Sequence, residues 1–358
     1  MSTSDSNSSR PIRRGRGALS NMDGRFESLE HEAVDDGWGS ADEPLPEIKT
    51  TVRIERARSI IVQQRSPDIM FEQSINPYRG CEHGCIYCYA RPSHSYLGLS
   101  PGLDFETKLF AKPDAAKLLI EELRRPNYRV SPIALGTNTD PYQPIERRMR
   151  IMRSIIEVLA QYDHPLSIVT KSALIERDLD LLAPMAQKNL VRVFVSVTTL
   201  DRKLARSLEP RAAAPQRRLD VIRALAQVGV LAAPMIPVLT DHELESILEH
   251  CAQAGADAAG YTLLRLPHEV KDLFKEWLDE HFPNRAAHVM NLVRDTRGGR
   301  ENDPNFGTRM RGQGEYATLL RHRFQLACRR LKLNGRSVSL DTTLFHPPKA
   351  DTPQLSLW

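Results

Sequence analysis

Three of the chain's five cysteines lie within eight positions, in the stretch GCEHGCIYCYA at residues 80–90. Cys81, Cys85 and Cys88 form the pattern C-x3-C-x2-C. Thiolates are soft ligands that favour zinc, Cu(I) or iron–sulfur clusters. An odd number of cysteines, at low density in 358 residues, argues against a disulfide framework. The spacing therefore predicts a metal centre on these three residues.

The ligand set leaves two kinds of metal centre open. A structural zinc ion takes four ligands, and His83 or His94 would complete a Cys3His site. Cys251 and Cys328 are distant and lie in helical patterns, so we expect both to be core residues. The alternative is a [4Fe–4S] cluster held by three cysteines, in which one iron keeps an open coordination site. An open site permits chemistry because a small molecule can bind there.

Apolar, strand-like runs alternate with helical patterns from residue 70 onward. The candidate strands are 70–78, 132–138, 165–171, 191–197, 230–239 and 258–266, and the candidate helices are 114–125, 146–161, 174–187, 215–228, 241–254 and 268–281. Six such units indicate a parallel sheet with right-handed crossovers. The sequence predicts an α/β fold, an open (β/α)6 partial TIM barrel. Its chemistry is expected at the C-terminal ends of the strands.

Polar side chains follow three of these candidate strands. They are Thr137, Asn138, Thr139 and Asp140 after the second strand, Lys171 after the third, and Ser196 and Thr198 on the fourth. Because parallel strands end at one edge of a sheet, we expect these side chains to face a common ligand. An ordinary capped turn before Pro141 and a solvated Lys171 are the alternatives.

Glu209 and Arg211 precede a candidate helix in the stretch LEPRAAAPQ. A buried pair near the site is one interpretation. An exposed charge pair at the helix entry is the other, and such pairs contribute little stability.

Composition divides the chain into five parts. They are a disordered tail over 1–48, a β-rich lead-in over 49–69, the (β/α)6 core over 70–281, a basic loop and helix extension over 282–345, and a flexible tail over 346–358. Residues 285–336 carry twelve Lys/Arg against four Asp/Glu, net +8, which suggests a polyanionic partner such as nucleic acid. The candidate phosphate contacts are Arg297, Arg300, Arg309 and Arg311. A loop closing over a carboxylate, or a solvated face, is the alternative.

Hydropathy gives no sign of a membrane or export segment. No apolar run approaches the roughly 20 residues of a transmembrane helix. The stretch MSTSDSNSSRPIRRGRG has no apolar segment of the signal-peptide kind. We expect a soluble, cytoplasmic protein with no membrane partner.

The cysteine motif, with Tyr87 directly before its third cysteine, resembles the signature of the radical S-adenosylmethionine superfamily. The resemblance implies a [4Fe–4S] cluster and S-adenosylmethionine as cofactors. It also implies that the cluster reductively cleaves S-adenosylmethionine to a 5′-deoxyadenosyl radical, which abstracts hydrogen from a substrate. An electron donor of flavodoxin or ferredoxin type is then an expected partner.

Within that superfamily, the stretches TDPYQPIE, TKS and FVSVTT resemble the spore-photoproduct-lyase-related branch. By motif position, the resemblance implies that Thr139, Asp140, Lys171 and Ser196 contact S-adenosylmethionine, beside Tyr87 in the cysteine motif. The lyase has a hydrogen-donor cysteine after its second strand, where this chain has Asn138 and Thr139, which argues against photoproduct repair. The longer stretch SINPYRGCEHGCIYCYARPSHSYLGLSPGLDFETK resembles a bacterial family of radical S-adenosylmethionine proteins.

The last five residues, QLSLW, resemble the peptide by which bacterial DNA proteins bind the polymerase sliding clamp. The resemblance assigns Gln354 to a polar subsite, and Leu355, Leu357 and Trp358 to the apolar part of the motif. A tail that packs its own leucines and tryptophan on the body is the alternative.

Together these features predict a radical S-adenosylmethionine enzyme acting on an unknown substrate, with nucleic acid as the leading candidate. A radical enzyme acting on a small molecule or peptide is one alternative. A non-catalytic nucleic-acid-binding module that carries zinc or a cluster is the other.

Overall fold

The computed structural model describes residues 16–27, 49–225, 227–335 and 339–349. The strands are β1 Thr51–Ile54, β2 Ile61–Gln63, β3 Gln73–Ile75, β4 Tyr78–Arg79, β5 Lys108–Ala111, β6 Ile133–Leu135, β7 Leu166–Thr170, β8 Val191–Ser196, β9 Val228–Met235 and β10 Ala258–Leu263. The helices are α1 Leu103–Thr107, α2 Ala115–Leu123, α3 Glu146–Met149, α4 Ile151–Gln161, α5 Leu179–Gln187, α6 Arg202–Leu208, α7 Pro215–Ala224, α8 Leu244–Gln253, α9 Val270–His281, α10 Pro283–Asp295 and α11 Gly314–Arg330.

One seven-stranded sheet organises the molecule, in the order β10-β9-β8-β7-β6-β3-β2. Six of its strands run parallel, from β3 to β10, and β2 is added antiparallel to β3 at one edge. The sheet is open, with β10 and β2 as its two edges. This arrangement confirms the predicted α/β fold with six parallel strand–helix units.

Apolar periodicity explains why the helices cover the sheet. In α4, Ile151, Ile155, Ile156 and Leu159 are buried on one stripe, at the spacing that places residues on a single helix face. Arg150 has a φ of 53°, in the left-handed region, and separates α3 from α4. The single helix predicted over 146–161 is therefore two helices.

A small second sheet carries the cysteine loop. It has the order β1-β5-β4, with β1 parallel and β4 antiparallel to β5. The cysteine loop, residues 80–90, leaves β4 directly. The lead-in predicted over 49–69 thus contributes one strand, β1, to this small sheet and another, β2, to the edge of the large one.

Residues 16–27, which we call the strap, differ from the disorder predicted over 1–48. The backbone amides of Gly17 and Ala18 donate to the Glu106 carboxylate at 3.0 and 2.9 Å. Farther along, the Ser20 hydroxyl donates to Glu276 Oε2 at 2.7 Å. The strap is held by hydrogen bonds from its backbone and short polar side chains, and such contacts leave no hydrophobic periodicity in the sequence.

The basic extension packs on the core. In α11, Arg323 forms an ion pair with Glu245 of α8 at 2.6 Å. Phe345, near the end of the described chain, packs edge-on against Tyr128 and His164, with ring centroids 5.7 and 5.0 Å apart. Residues 354–358, with the predicted clamp-binding peptide, lie outside the described residues. Among the helices of the described ranges, none combines the length and the apolarity needed to cross a membrane.

Candidate active site

The three motif cysteines lie on the loop that follows β4. Gly80 and Gly84 adopt φ values of 74° and 67°, which other residues rarely adopt, so the loop turns tightly at both positions. Turn hydrogen bonds run from the Gly84 amide to the Cys81 carbonyl and from the Cys88 amide to the Cys85 carbonyl. The sequence therefore folds 81–88 into consecutive turns that present three thiols from one short segment.

Burial governs the chemistry of these thiols. It raises the pKa of Cys81, Cys85 and Cys88, and Asp140 and the other two cysteines raise the pKa of Cys81 further. Iron or zinc displaces such protons because the metal's charge stabilises the thiolate. Three soft donors on one buried loop therefore fit an iron–sulfur cluster.

Each of the two histidines proposed as a fourth zinc ligand has a ring nitrogen near an oxygen atom, although among the described residues the Nδ1 atom of neither forms a hydrogen bond. His83 Nδ1 lies 3.4 Å from Asp140 Oδ2. His94 Nε2 lies 3.0 Å from the Lys108 carbonyl. In the described parts of the chain, no three His, Cys, Asp or Glu side chains form a group that could hold one metal ion. A [4Fe–4S] cluster does not require such convergence, because its thiolates bind three different irons.

A buried ion pair fastens the cysteine loop from behind. Arg91 and Glu106 are both fully buried, and their charged groups lie 2.5 Å apart. Arg91 also donates to the carbonyls of Cys85 and Gly84 at 2.9 and 3.2 Å. Two further bonds reach the carbonyls of residues 101 and 102. The guanidinium thus satisfies backbone groups on both sides of the loop that carries the thiols.

Asp140 forms the first polar group at the strand ends. Its Oδ1 accepts from the Thr170 hydroxyl at 2.8 Å, and its Oδ2 accepts from the Lys171 amide at 2.8 Å. Burial alone would raise the pKa of Asp140, but His83 and these hydrogen bonds lower it to about 2. The carboxylate is therefore held ionised beside Cys81.

Lys171 and Ser196 form the second group. Lys171 Nζ donates to Ser196 Oγ at 2.9 Å and lies 5.9 Å from the centroid of the Tyr87 ring. Ser196 Oγ in turn donates to the Ala233 carbonyl at 3.1 Å. The lysine predicted after the third strand therefore faces the site rather than bulk solvent, and it connects the strand ends to the cysteine loop.

Glu209 occupies the centre of a third, fully buried group. It accepts from the Tyr87 hydroxyl and from Thr198 Oγ1, and it pairs with Arg218. Lys171 Nζ lies 3.8 Å away. Burial would raise the pKa of Glu209, but Arg218 and Lys171 lower it to about 2. The carboxylate stays charged and fixes the ring that precedes Cys88.

The sequence-based pairing of Glu209 with Arg211 is wrong about the partner. Arg211 instead pairs with Glu82 at 2.8 Å. Arg218, not Arg211, reaches Glu209 because it lies on the buried face of α7 with Leu219 and Ile222. The charged Arg218 within the apolar stripe of α7 was the sequence signal that could have identified the partner of Glu209.

The remaining polar residues after β6 have structural partners. Thr139 Oγ1 donates to the Tyr78 carbonyl at 3.0 Å, and the Asn138 amide donates to Asn76 Oδ1 at 3.1 Å. Thr137 provides a carbonyl that accepts from the Tyr89 hydroxyl. The structure therefore brings Asp140, but not the Thr139 hydroxyl, to the group formed with Lys171.

Three of the four candidate phosphate-binding arginines are engaged within the protein. Arg297 is buried and donates to the carbonyls of residues 263, 264, 308 and 309. Arg309 pairs with Asp68, and the Arg311 guanidinium lies 4.1 Å from the Tyr261 ring centroid. Arg300 is exposed. These contacts close the basic loop onto the core.

Sequence reasoning missed three residues that shape the site. Arg91 and Glu106 fasten the cysteine loop, and Arg218 compensates the charge of Glu209. Cys251 and Cys328 are buried as expected, and burial raises their pKa to about 12 and about 11. Both pack in the main hydrophobic core.

Comparison with known proteins gives one family. The profile of the Radical SAM superfamily matches residues 75–251. An uncharacterized protein of Mycobacterium tuberculosis is 42% identical over 230 residues, which is 63% of this chain and 68% of that protein. An uncharacterized protein of Methanocaldococcus jannaschii is 27% identical over 173 residues, 47% of this chain and 62% of that protein.

Solved structures of spore photoproduct lyase share the fold. The lyase complexed with dinucleoside spore photoproduct has a TM-score of 0.56 at 17% identity, over 78% of this chain and 79% of the lyase. A lyase variant with bound AdoMet and the same dinucleoside has a TM-score of 0.54 at 16% identity, over the same shares. At 16–17% sequence identity, these matches show a shared fold and nothing more.

Proposed function

The chain belongs to the radical SAM superfamily, whose members use a [4Fe–4S] cluster and S-adenosylmethionine, and on that premise we propose that it is a radical S-adenosylmethionine enzyme. The observation that carries the proposal is the continuity between the cysteine loop and the strand ends. Tyr87 on the loop contacts Glu209, and Lys171 lies between Glu209 and Ser196.

Each part of the site has a role in this proposal. Cys81, Cys85 and Cys88 would hold the cluster, and Asp140 and Lys171 offer one negative and one positive group for the amino and carboxylate ends of S-adenosylmethionine. Ser196 is proposed as a further contact, as is Thr139, which the resemblance assigns to the cofactor and whose hydroxyl donates to the Tyr78 carbonyl. When bound, the cluster and S-adenosylmethionine supply reductive cleavage of the sulfonium to a 5′-deoxyadenosyl radical, which abstracts hydrogen from a substrate.

The residues of the chain position these groups and exclude water. Cys81 and Cys85 are less than a tenth exposed, so little solvent reaches the thiols. Glu209 fixes Tyr87, and Arg218 keeps that carboxylate charged without a proton. A closed, preorganised wall of this kind limits side reactions of a radical.

For the substrate we propose nucleic acid. Helix α11 presents exposed cationic side chains, Arg321, Arg329 and Arg330, and the lyase with the same fold is complexed with a dinucleoside. Phosphate contacts make binding fall steeply with salt. Replacing these three arginines by glutamine is expected to lower both the affinity for single-stranded DNA and the slope of log affinity against log salt. An unchanged slope would favour a small molecule or peptide.

Three smaller proposals accompany this function. A flavodoxin- or ferredoxin-type protein supplies the electron. The peptide of Gln354, Leu355, Leu357 and Trp358 binds a sliding clamp. The protein acts in the cytoplasm. A binding titration of the clamp against the full chain and against a chain ending at residue 349 tests the second of these.

The decisive experiment for the chemistry is anaerobic reconstitution with iron and sulfide. Dithionite and S-adenosylmethionine are then added, and 5′-deoxyadenosine is quantified in wild type, Cys85→Ala and Cys251→Ala. We expect product from wild type and from Cys251→Ala, because Cys251 is a core residue. Cys85→Ala should lose both iron and product. Product from none of them, with zinc in the purified protein, would replace the proposal by the metal-bearing binding module.

A further inference from the structure

A surface pocket of about 370 Å³ opens beside the cysteine loop. Its walls come from β1, from α3 and the turn before it, and from the segment between α6 and α7. The pocket is lined by Arg147, Arg148 and Arg211, with Glu82 and Thr50 among them. It lies outside the group formed by Asp140, Lys171 and Glu209.

The charge of this pocket is positive. Glu82 is buried, and it accepts from Arg211 Nη1 at 2.8 Å and from Thr50 Oγ1 at 2.9 Å. Its charge therefore compensates Arg211. Arg147 and Arg148 are exposed, and within the described ranges their guanidinium groups have no acidic partner. Three cations against one anion leave the pocket with a net charge of +2.

The pocket is fastened to the loop that carries the thiols. Glu82 follows Cys81 directly, and its backbone amide donates to Gln143 Oε1 at 2.9 Å. Gln143 Nε2 donates to the Gly80 carbonyl at 3.0 Å, and the Arg211 amide donates to the His83 carbonyl at 3.3 Å. The pocket lining thus includes the chain neighbour of a cysteine that is expected to hold the cluster.

We propose that this arginine-lined pocket is the docking site of an acidic protein that carries single electrons. The inference rests on the proposed function, because the electron is needed only if a cluster is present. The carrier loses one electron and is oxidised, and the cluster gains that electron and is reduced. Cys81 and Cys85 are buried, and the pocket's Glu82, which pairs with Arg211, follows Cys81 directly, so the arginine surface is joined to a cluster ligand through the chain.

The position of the charges favours a protein over a small anion. A small anion binds best to donors that are enclosed and desolvated. Arg147 and Arg148 instead stand exposed at the rim, where charges steer the approach of a macromolecule and set its orientation. Acidic side chains around the redox group of the carrier would complement them.

The test uses a flavodoxin of acidic surface, oxidised for binding and reduced for electron transfer. Binding to the full-length protein, not reconstituted, is titrated by calorimetry in 50 and 300 mM NaCl. Arg147→Glu/Arg148→Glu should raise the Kd at least tenfold at low salt. The control Lys117→Glu/Arg125→Glu makes the same charge change on exposed residues of the α2 region and should stay within twofold. Arg147→Gln/Arg148→Gln should give an intermediate loss.

Electron transfer is then followed in the reconstituted protein by stopped-flow absorbance. The arginine reversal should slow cluster reduction by flavodoxin at least tenfold, while reduction by methyl viologen, a small cation, stays within twofold. Equal loss of binding in both reversals, or no binding by wild type, overturns the docking site. Inorganic phosphate that saturates the wild type alone, with flavodoxin binding unchanged in the variant, assigns the pocket to a small anion. Failure of the proposed function is separate, since it appears as absence of cluster or of 5′-deoxyadenosine with every reductant.

Discussion

Replacing Arg91 by methionine tests whether the buried pair behind the cysteine loop holds the site together. The substitution keeps most of the side-chain volume and removes the guanidinium. Among the described residues, Glu106 then keeps the amides of Gly17 and Ala18 as hydrogen-bond donors, with the Arg16 guanidinium near it. Four backbone carbonyls around the loop also lose one donor each.

The expected loss of unfolding free energy follows from the burial of the Arg91–Glu106 pair. Removing one partner of a buried ion pair costs about 3–5 kcal/mol, because the remaining charge is uncompensated. Arg223→Met is the matched control, since Arg223 pairs with Asp220 at the surface and the two side chains are 53% and 42% exposed. Exposed pairs contribute about 0–1 kcal/mol. The double variant Arg91→Met/Glu106→Gln should recover at least about 2 kcal/mol, because it removes the stranded charge.

The assay is urea unfolding of the metal-free proteins, followed by far-ultraviolet circular dichroism at pH 7.5. Iron per chain after reconstitution is the second measurement. We expect Arg91→Met to lower the unfolding midpoint and to bind less iron than wild type. Arg223→Met should match wild type in both.

The reasoning is refuted if Arg91→Met costs no more than Arg223→Met. It is also refuted if the double variant is less stable than Arg91→Met alone. Either result would mean that the loop is held by its turns and not by the ion pair.

Three further predictions follow from other parts of the fold. Burial lowers the pKa of His164 to about 4, whereas the unfolded chain takes up this proton near pH 6.5. Acid therefore lowers the free energy of unfolding, by about 2 kcal/mol between pH 7 and pH 5, and urea unfolding of His164→Gln should lack this pH-dependent part. Gly136→Ala places a Cβ 2.1 Å from the Val169 carbonyl at a φ of 86° and should lower the free energy of unfolding by at least about 2 kcal/mol in the same assay. Gly98→Ala, which has open space around it, should lower it by only about 1 kcal/mol. Arg297→Met removes the bonds that close the basic loop and should speed chymotrypsin cleavage after exposed Phe306 at least fivefold; an equal rate in Arg300→Met and Arg297→Met would show that Arg297 does not hold the loop.

The sheet and its order could be predicted because burial leaves periodic signals. Each of the six predicted core strands overlaps an observed one, and the helices between them show apolar stripes at helical spacing. Asp140, Lys171 and Ser196 were predictable as one group, because parallel strands end at one edge of the sheet. Their mutual contacts follow from topology and not from closeness in the sequence.

The strap and the true partner of Glu209 could not be predicted in the same way. The strap is held through backbone amides and short polar side chains, and its two buried apolar residues, Ala18 and Leu19, are too few to leave a periodic signal. For Glu209, sequence distance favoured Arg211, but α7 turns Arg218 inward and leaves Arg211 at the surface. A choice between two arginines depends on helix orientation, which is a tertiary property.

The strap also sets an order of events during synthesis. Its Ser20 leaves the ribosome early, yet its partner Glu276 is made 256 residues later. At 5–20 residues per second, that interval is roughly 13–50 s. From the completion of Glu106 until Glu276 is made, the strap can bond to Ser100, Asp104 and Glu106 but lacks its bond to α9. Translation therefore delays one anchor of the strap, its bond to α9, until most of the fold has been synthesised.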